Sequence, residues 1–322
     1  MVPIDADTSL LPSREDIAGA AARIRGHVRR TPAMAVGDDI GGVTGCVLKL
    51  ELLQHTGSFK PRGAYNTVLS ATVPESGIIA ASGGNHAAAV AHVGATLDIP
   101  TEIFVPEAAP EIKLRRLEGY PATVVRAGAL YDDAQAASDE RAAATGALVV
   151  HPYDLPEVVA GQGTVGLEIQ EQAGELDTVL VAVGGGGLIA GVASWFRDDV
   201  RIVAVEPERS RCLGAALDAG APVQVSVAGV ASDSLGARRV GDLAFRAASA
   251  WVDRAVTVSD EDIVATQLVC WERLRLVVEP GGAAALAALR GGAYRPAPGE
   301  RVGVVVCGAN ADPTPIAAPK GH

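Results

Sequence analysis

Short β-branched runs alternate with Ala-rich segments of helix length, and this alternation limits the possible folds of the chain more than any other feature. Ile78 to Ala81 precedes the Ala-rich stretch His86 to Leu97, Thr101 to Val105 precedes Pro110 to Glu118, and Thr123 to Arg126 precedes Tyr131 to Ala144. Leu148 to His151, Val179 to Val183, Arg201 to Glu206 and Val302 to Val306 continue the strand-like series. Strands joined through helices rather than tight hairpins predict an α/β fold, its sheet mostly parallel and covered on both faces. A chain of 322 residues admits one large domain or two of ordinary size. Aromatic residues are only 4%, so Ala, Val, Leu and Gly must do most of the packing.

The formal charge is −11, which excludes nucleic acid as a main partner. The local exception, Arg23, Arg25, Arg29 and Arg30, reads as the solvated face of an N-terminal helix. Four scattered cysteines form no C-x-x-C pair, so neither a metal cluster nor a disulfide framework is expected. Met1 to Leu11 lacks the pattern of a signal peptide. The most apolar window, Val179 to Ala193, is interrupted by four glycines and is shorter than the ~20 residues of a spanning helix. A soluble protein in a reducing cytoplasm, with no membrane partner, is the expectation. The tail after Asp312, with its prolines, reads as frayed.

Several short motifs carry chemistry. Lys60, in Ser58-Phe59-Lys60-Pro61-Arg62-Gly63-Ala64, follows the apolar stretch Cys46 to Leu53 and a Gly-Ser turn, and precedes a helix-like segment. A lysine in an apolar or cationic setting has a lowered pKa, which makes its neutral amine available as a nucleophile or base. Gly184, Gly185, Gly186 and Gly187 follow the strand Val179 to Val183 and precede the helix-like run Leu188 to Trp195. Such a loop turns backbone N–H groups around an anion at a helix N-terminus. No Lys-Ser/Thr completes a P-loop, so a nucleoside triphosphate is not expected. Ser82, Gly83, Gly84, Asn85 and His86 lie between a strand and an Ala-rich helix, a placement that suits a carboxylate. Cys307 ends the strand Val302 to Val306. A second glycine pattern, Gly161-x-Gly163-x-x-Gly166, has no strand leading into it. It reads as the opening of a helix near the site rather than as a dinucleotide fingerprint.

In this order and over nearly the whole chain, the Lys60, Ser82–His86, Gly184–Gly187 and Cys307-Gly308-Ala309-Asn310 segments resemble the threonine/serine dehydratase family of pyridoxal-phosphate (PLP) enzymes, which includes serine racemase. The resemblance implies PLP fold type II, the tryptophan synthase β-like architecture of two interleaved three-layer domains. The larger domain would combine residues 1–52 and 153–322, and the smaller, mobile one residues 53–152. It implies that Lys60 holds the cofactor covalently, next to Phe59. Gly184–Gly187 with Leu188 would bind the phosphate, Asn85 the ring hydroxyl, and Cys307 the pyridine nitrogen. A thiol there is a weak donor that cannot hold the ring firmly protonated. Glu279, in Glu279-Pro280-Gly281-Gly282-Ala283, matches a glutamate near the cofactor. The Ser82–His86 loop would bind the substrate carboxylate, with Ser82 and His86 framing it, and Arg62 would support the Lys60 loop. Some members bind a cation after the strand at Glu206, but Cys212 stands where that site needs an aspartate, so no metal is expected.

The implied activity is an ammonia-lyase reaction on a β-hydroxy-L-amino acid, threonine or serine first, giving a 2-oxo acid and ammonia. The cofactor phosphate is the implied acid for the leaving hydroxyl. Gly83 occupies the position where serine racemase carries its second serine, so elimination is expected over racemisation. His86-Ala87 after the asparagine, rather than threonine-glycine, counts against β-replacement. Bulkier substrates such as hydroxyaspartate or phenylserine types stay open, as does a silent PLP-binding protein. The chain ends soon after the Cys307 loop, leaving no room for the regulatory domain of longer members, and a homodimer is implied.

Overall fold

Among the residues that the computed structural model describes, 7–37, 40, 45–107, 109 and 114–314, ten strands form two sheets. In chain order the first six strands are β1 (Ala33–Val36), β2 (Cys46–Lys49), β3 (Ile78–Ala81), β4 (Thr101–Val105), β5 (Thr123–Arg126) and β6 (Leu148–Val149). The others are β7 (Thr178–Ala182), β8 (Arg201–Pro207), β9 (Val252–Val258) and β10 (Val302–Val305). The larger sheet runs β1-β2-β10-β7-β8-β9 and the smaller β5-β4-β3-β6. Every pairing is parallel except β1 with β2. The α/β expectation therefore holds, with two sheets.

Among the described residues ten α-helices precede or connect the strands: α1 (Arg14–Arg23), α2 (Lys60–Ser70), α3 (Asn85–Leu97), α4 (Tyr131–Thr145) and α5 (Pro156–Ala173) come first. They are followed by α6 (Gly187–Phe196), α7 (Cys212–Ala219), α8 (Asp242–Trp251), α9 (Asp260–Val269) and α10 (Pro280–Arg290). Proline in the first turn starts α2, α5 and α10, where its missing N–H costs nothing. Ser13 and Asp16 close a capping box on α1. The larger apolar core is built around the six-stranded sheet, from residues between Leu11 and Leu52 and between Val159 and Cys307. A second core joins Ala64, Tyr65 and Val68 of α2 to Ile78, Val90 and Ile103 around the smaller sheet.

The Gly161–Gly166 pattern lies in the middle of α5 and does not open it. Its glycines let helices meet at backbone distance. A Cβ at Gly161 would lie 2.6 Å from the Arg62 carbonyl of α2, and one at Gly163 would lie 3.0 Å from the Gly191 carbonyl of α6. Gly191 is equally tight, with the Gly163 nitrogen 2.4 Å from its ideal Cβ.

Other expectations need correction. Of the arginine cluster only Arg23 is helical; Arg29 donates to the Leu53 carbonyl and Arg30 pairs with Glu171. The strand expected over Leu148 to His151 stops at Val149, because Pro152 and a turn follow. Residues 110–113 of the Pro110–Glu118 segment lie outside the described residues, and 115–118 are turn rather than helix. Much of the N-terminal decapeptide and of the proline-rich tail also lies outside the described residues.

Candidate active site

Parallel strands deliver their following loops to one edge of a sheet, and a ligand crevice forms where the winding reverses. From β7 the chain proceeds to β8 and β9 on one side, whereas β10 returns to the other side of β7. The loops at this reversal are Gly184–Gly186 after β7 and Cys307–Asn310 after β10. The Lys60 segment is sewn to the second loop. Phe59 donates its N–H to the Cys307 carbonyl at 3.2 Å, and Ser58 forms an isolated bridge with Gly308.

Lys60 is the first residue of α2 and partly open. Its Nζ donates to the Pro152 carbonyl at 2.7 Å and lies 5.1 Å from the centre of the Phe59 ring. Burial lowers its pKa to about 8, against the pull of Cys307 and Glu279. A neutral amine is therefore accessible near physiological pH, as a nucleophile or base requires. The Cys307 side chain is buried and its thiol reaches the Gly281 carbonyl at 3.5 Å. Burial pushes its pKa far up, so it stays a neutral thiol.

The glycine loop is shaped by what packs behind it. A Cβ at Gly185 would lie 2.3 Å from the Tyr153 ring, and one at Gly186, where φ is 94°, would lie 2.3 Å from the Ala244 Cβ. Residues at the start of α6 precede the first carbonyl their N–H groups could reach; Ala190 is the first to bond back, to Gly186. Such donors and the helix dipole suit an anion. Pro152 and Tyr153, adjacent in sequence, thus touch Lys60 and the glycine loop in turn. Nothing in the sequence reading singled them out.

The loop after β3 faces the segment Ala231–Gly236: a Cβ at Gly84 would lie 3.7 Å from the Asp233 carbonyl, and one at Gly83 would meet nothing within 4 Å. Ser82 Oγ accepts the Gly84 N–H at 3.2 Å. His86 departs from its expected part in framing a carboxylate. It is 5% exposed, its Nε2 lies 2.7 Å from the Val150 carbonyl, and burial with the nearby Lys60 charge lowers its pKa to about 3. The imidazole is neutral and spent on the strand end, so only its backbone N–H belongs to the loop's donors.

The fold brings Asn85 and Glu279 into contact. Asn85 Nδ2 donates to Glu279 Oε1 at 2.7 Å. Burial raises the Glu279 carboxyl to about 7, opposed by the Asn85 amide and by Arg116, Asn310 and Lys60. Gly308 leaves room for this carboxyl, since a Cβ there would lie 1.9 Å from Glu279 Oε1.

Arg62 supports the Lys60 helix through a cluster that the sequence did not disclose. It is fully buried and forks onto Glu51 (Nε to Oε2, 2.8 Å) and Glu168 (Nη1 to Oε1, 2.8 Å). Lys49 joins the same Glu168 at 2.5 Å. Glu206 is equally occupied: its carboxylate accepts the Leu213 and Gly214 N–H groups at 2.8 and 2.7 Å. The Cys212 thiol donates to the Gly184 carbonyl at 3.1 Å. Among the described residues no group of three His, Cys, Asp or Glu side chains converges as metal ligands. No helix among them is long and apolar enough to cross a membrane.

The chain is similar to known proteins over most of its length. Residues 24–308 match the family described as pyridoxal-phosphate dependent enzyme. An L-threonine ammonia-lyase of Thermotoga maritima is 37% identical, over 92% of this chain and 75% of its own. A biosynthetic L-threonine dehydratase of Salmonella typhimurium is 40% identical over 82% of this chain, which spans about half (52%) of that relative. A phenylserine dehydratase of Ralstonia pickettii is 36% identical over 95% of both chains. Among solved structures, maize serine racemase superposes with a TM-score of 0.87 at 34% identity, over 93% of this chain and 94% of its own.

Proposed function

The chain belongs to the family of pyridoxal-phosphate-dependent enzymes of fold type II, and on that premise we propose that it is an ammonia-lyase acting on a β-hydroxy-L-amino acid, threonine or serine first. The observation that carries this reading is Lys60: a partly open amine lowered to about 8, beside a glycine-rich anion cradle and a buried neutral thiol. The cradle and the unpartnered buried hydroxyl of Ser58 fit a phosphorylated ring of this kind.

In this reading Lys60 holds the cofactor, with Phe59 beside it. Gly184–Gly187 and Leu188 hold the phosphate through N–H groups, Asn85 donates to the ring hydroxyl, Cys307 faces the ring nitrogen, and Glu279 braces Asn85. When bound, the cofactor supplies an electron sink for the substrate α-carbon. The N–H groups of Ser82–His86 bind the substrate carboxylate, and Lys60 takes the α-proton onto Nζ. The β C–O bond then breaks, and the proton that Lys60 took from the α-carbon converts the leaving hydroxide to water. Hydrolysis of the resulting enamine, through its imine, gives the 2-oxo acid and ammonia. Gly83 presents no side chain on the opposite face, which supports elimination over racemisation. The open space at Gly83 also supports a second reading, a bulkier β-hydroxy amino acid, as in the phenylserine dehydratase relative.

We assign residues 1–52 and 153–322 to the larger domain and 53–152 to the smaller; all four strands of the small sheet lie between 78 and 149. A cytoplasmic homodimer completes the proposal, and the four buried, unbridged cysteines suit a reducing compartment. The test is the visible band of the cofactor-loaded protein beside Lys60→Ala, with 2-oxo acid detected from L-threonine, L-serine and phenylserine. A band lost in the variant, with product from one of these substrates, is expected. Absence of any band after loading would overturn the reading.

A further inference from the structure

Asn310 closes the glycine-rich loop after β10, yet neither the sequence motif nor the reaction gives it a part. Its Nδ2 donates to the Thr56 carbonyl at 2.7 Å and to Asn85 Oδ1 at 2.8 Å. Asn85 Nδ2 in turn donates to Glu279 Oε1 at 2.7 Å. A backbone carbonyl can only accept, so Thr56 fixes which end of the Asn310 amide is nitrogen. That nitrogen then requires the Asn85 oxygen to face it, which turns the Asn85 nitrogen toward Glu279. The orientation is thus passed from an unambiguous acceptor through two amides, and it leaves Asn85 one N–H uncommitted.

The anchor itself is held in place. Thr56 is a non-glycine residue in the left-handed region, with φ 62°, and sits four residues before Lys60. Gly57 follows at φ 75°, and a Cβ on it would lie 2.7 Å from Asn310 Oδ1. The Ala309 N–H also bonds to the Gly57 carbonyl at 2.8 Å. Asn85 is the first residue of α3, beside the small sheet, whereas Asn310 and Glu279 belong to loops of the large one. Two hydrogen bonds therefore join the small-sheet loop to the large-sheet side of the site.

We infer that Asn310 is a positioning residue: it locks the Asn85 side-chain amide so that Asn85 can only donate, never accept, toward the ring hydroxyl of the bound cofactor. The inference rests on the cofactor reading above. Without Asn310 the Asn85 amide is held by the Glu279 carboxyl alone, which only accepts when ionised but can also donate when protonated, so the amide can turn over and its carbonyl would then accept from that hydroxyl. Donation favours the ionised ring oxygen and acceptance favours the protonated one, which moves absorbance from the visible into the near ultraviolet.

The experiment compares wild type, Asn310→Ala and the isosteric Asn310→Asp, each loaded with pyridoxal phosphate and with circular dichroism as the check on folding. The visible to near-ultraviolet absorbance ratio is expected to fall about two- to tenfold in both variants, the population change that one neutral hydrogen bond controls. Glu279→Gln combined with Asn310→Ala should change the ratio by less than the product of the single effects, because both act through Asn85. A folded variant with an unchanged ratio would overturn the inference. Backbone hydrogen exchange over residues 82–88 of the cofactor-free protein provides an independent reading. It should rise in Asn310→Ala, and unchanged exchange there would overturn the inference even if the wild type took up no cofactor.

Discussion

Replacing Glu168 by glutamine tests whether the buried charge cluster beneath the Lys60 helix is held by charge balance. The cluster contains two cations, Lys49 and Arg62, and two carboxylates, Glu51 and Glu168, all nearly or fully buried. Glu168 bonds both cations, at 2.5 Å to Lys49 and 2.8 Å to Arg62. Burial opposes its charge, but Arg62 and Lys49 outweigh that and hold its carboxyl below the usual range. Burial lowers the Lys49 ammonium despite the attraction of Glu51 and Glu168. Glu168→Gln keeps the volume and leaves one positive charge uncompensated. Breaking a buried pair in this way costs about 3–5 kcal/mol, a Tm loss of roughly 4–8 °C at this chain length. A carboxyl with a depressed folded pKa stabilises the fold above its unfolded pKa, and that contribution is lost as pH falls through the folded value. The gap between wild type and variant, read by urea unfolding, should therefore narrow on acidification below about pH 4. Lys49→Met with Glu168→Gln restores neutrality and should recover at least half of the loss. A loss under about 1 kcal/mol for Glu168→Gln, or simple additivity in the double variant, would refute charge balance as the cause.

Gly83→Ser places a hydroxyl in space where nothing lies within 4 Å of the ideal Cβ, so the fold should tolerate it. Chiral chromatography should then detect D-amino acid formed beside the 2-oxo acid, and none from wild type. If Lys60 holds the cofactor as proposed, capture needs its neutral amine, whose pKa burial lowers to about 8. The capture rate should rise about tenfold per pH unit below that value and level off above it, as stopped-flow absorbance would report. Gly191→Ala drives a Cβ to 2.4 Å from the Gly163 nitrogen and 2.5 Å from the Val159 carbonyl, both backbone atoms that cannot turn aside. A loss of about 1–3 kcal/mol or more is expected in chemical denaturation, and a neutral outcome would show that α5 and α6 separate freely.

What the sequence could disclose was local. The period of its apolar runs specified parallel α/β structure, and the residue types in Ser58–Ala64, Ser82–His86 and Gly184–Gly187 specified an amine, a donor loop and an anion cradle. Each of these is a property of a few neighbouring residues: backbone freedom at glycine, a helix start, a chemical group. Partnership across the chain was not legible, because it depends on which loops the strand order brings together. The reversal between β7 and β10 brings Cys307 toward the glycine loop, and folding puts Pro152 against Lys60. Val150, just past β6, takes up the His86 ring that the motif offered to a substrate. Helix packing turned Gly161-x-Gly163-x-x-Gly166 into a backbone contact with α2 and α6, a use that the same six letters share with nucleotide loops. Arg62 was visible as a residue, but Glu51 and Glu168 became its partners only in three dimensions. Asn310 stood in plain view inside a motif, and only the tertiary structure set its amide between Thr56 and Asn85. A hydrogen bond between residues 225 positions apart leaves no periodicity to read, so a sequence can name the groups but only the fold can pair them.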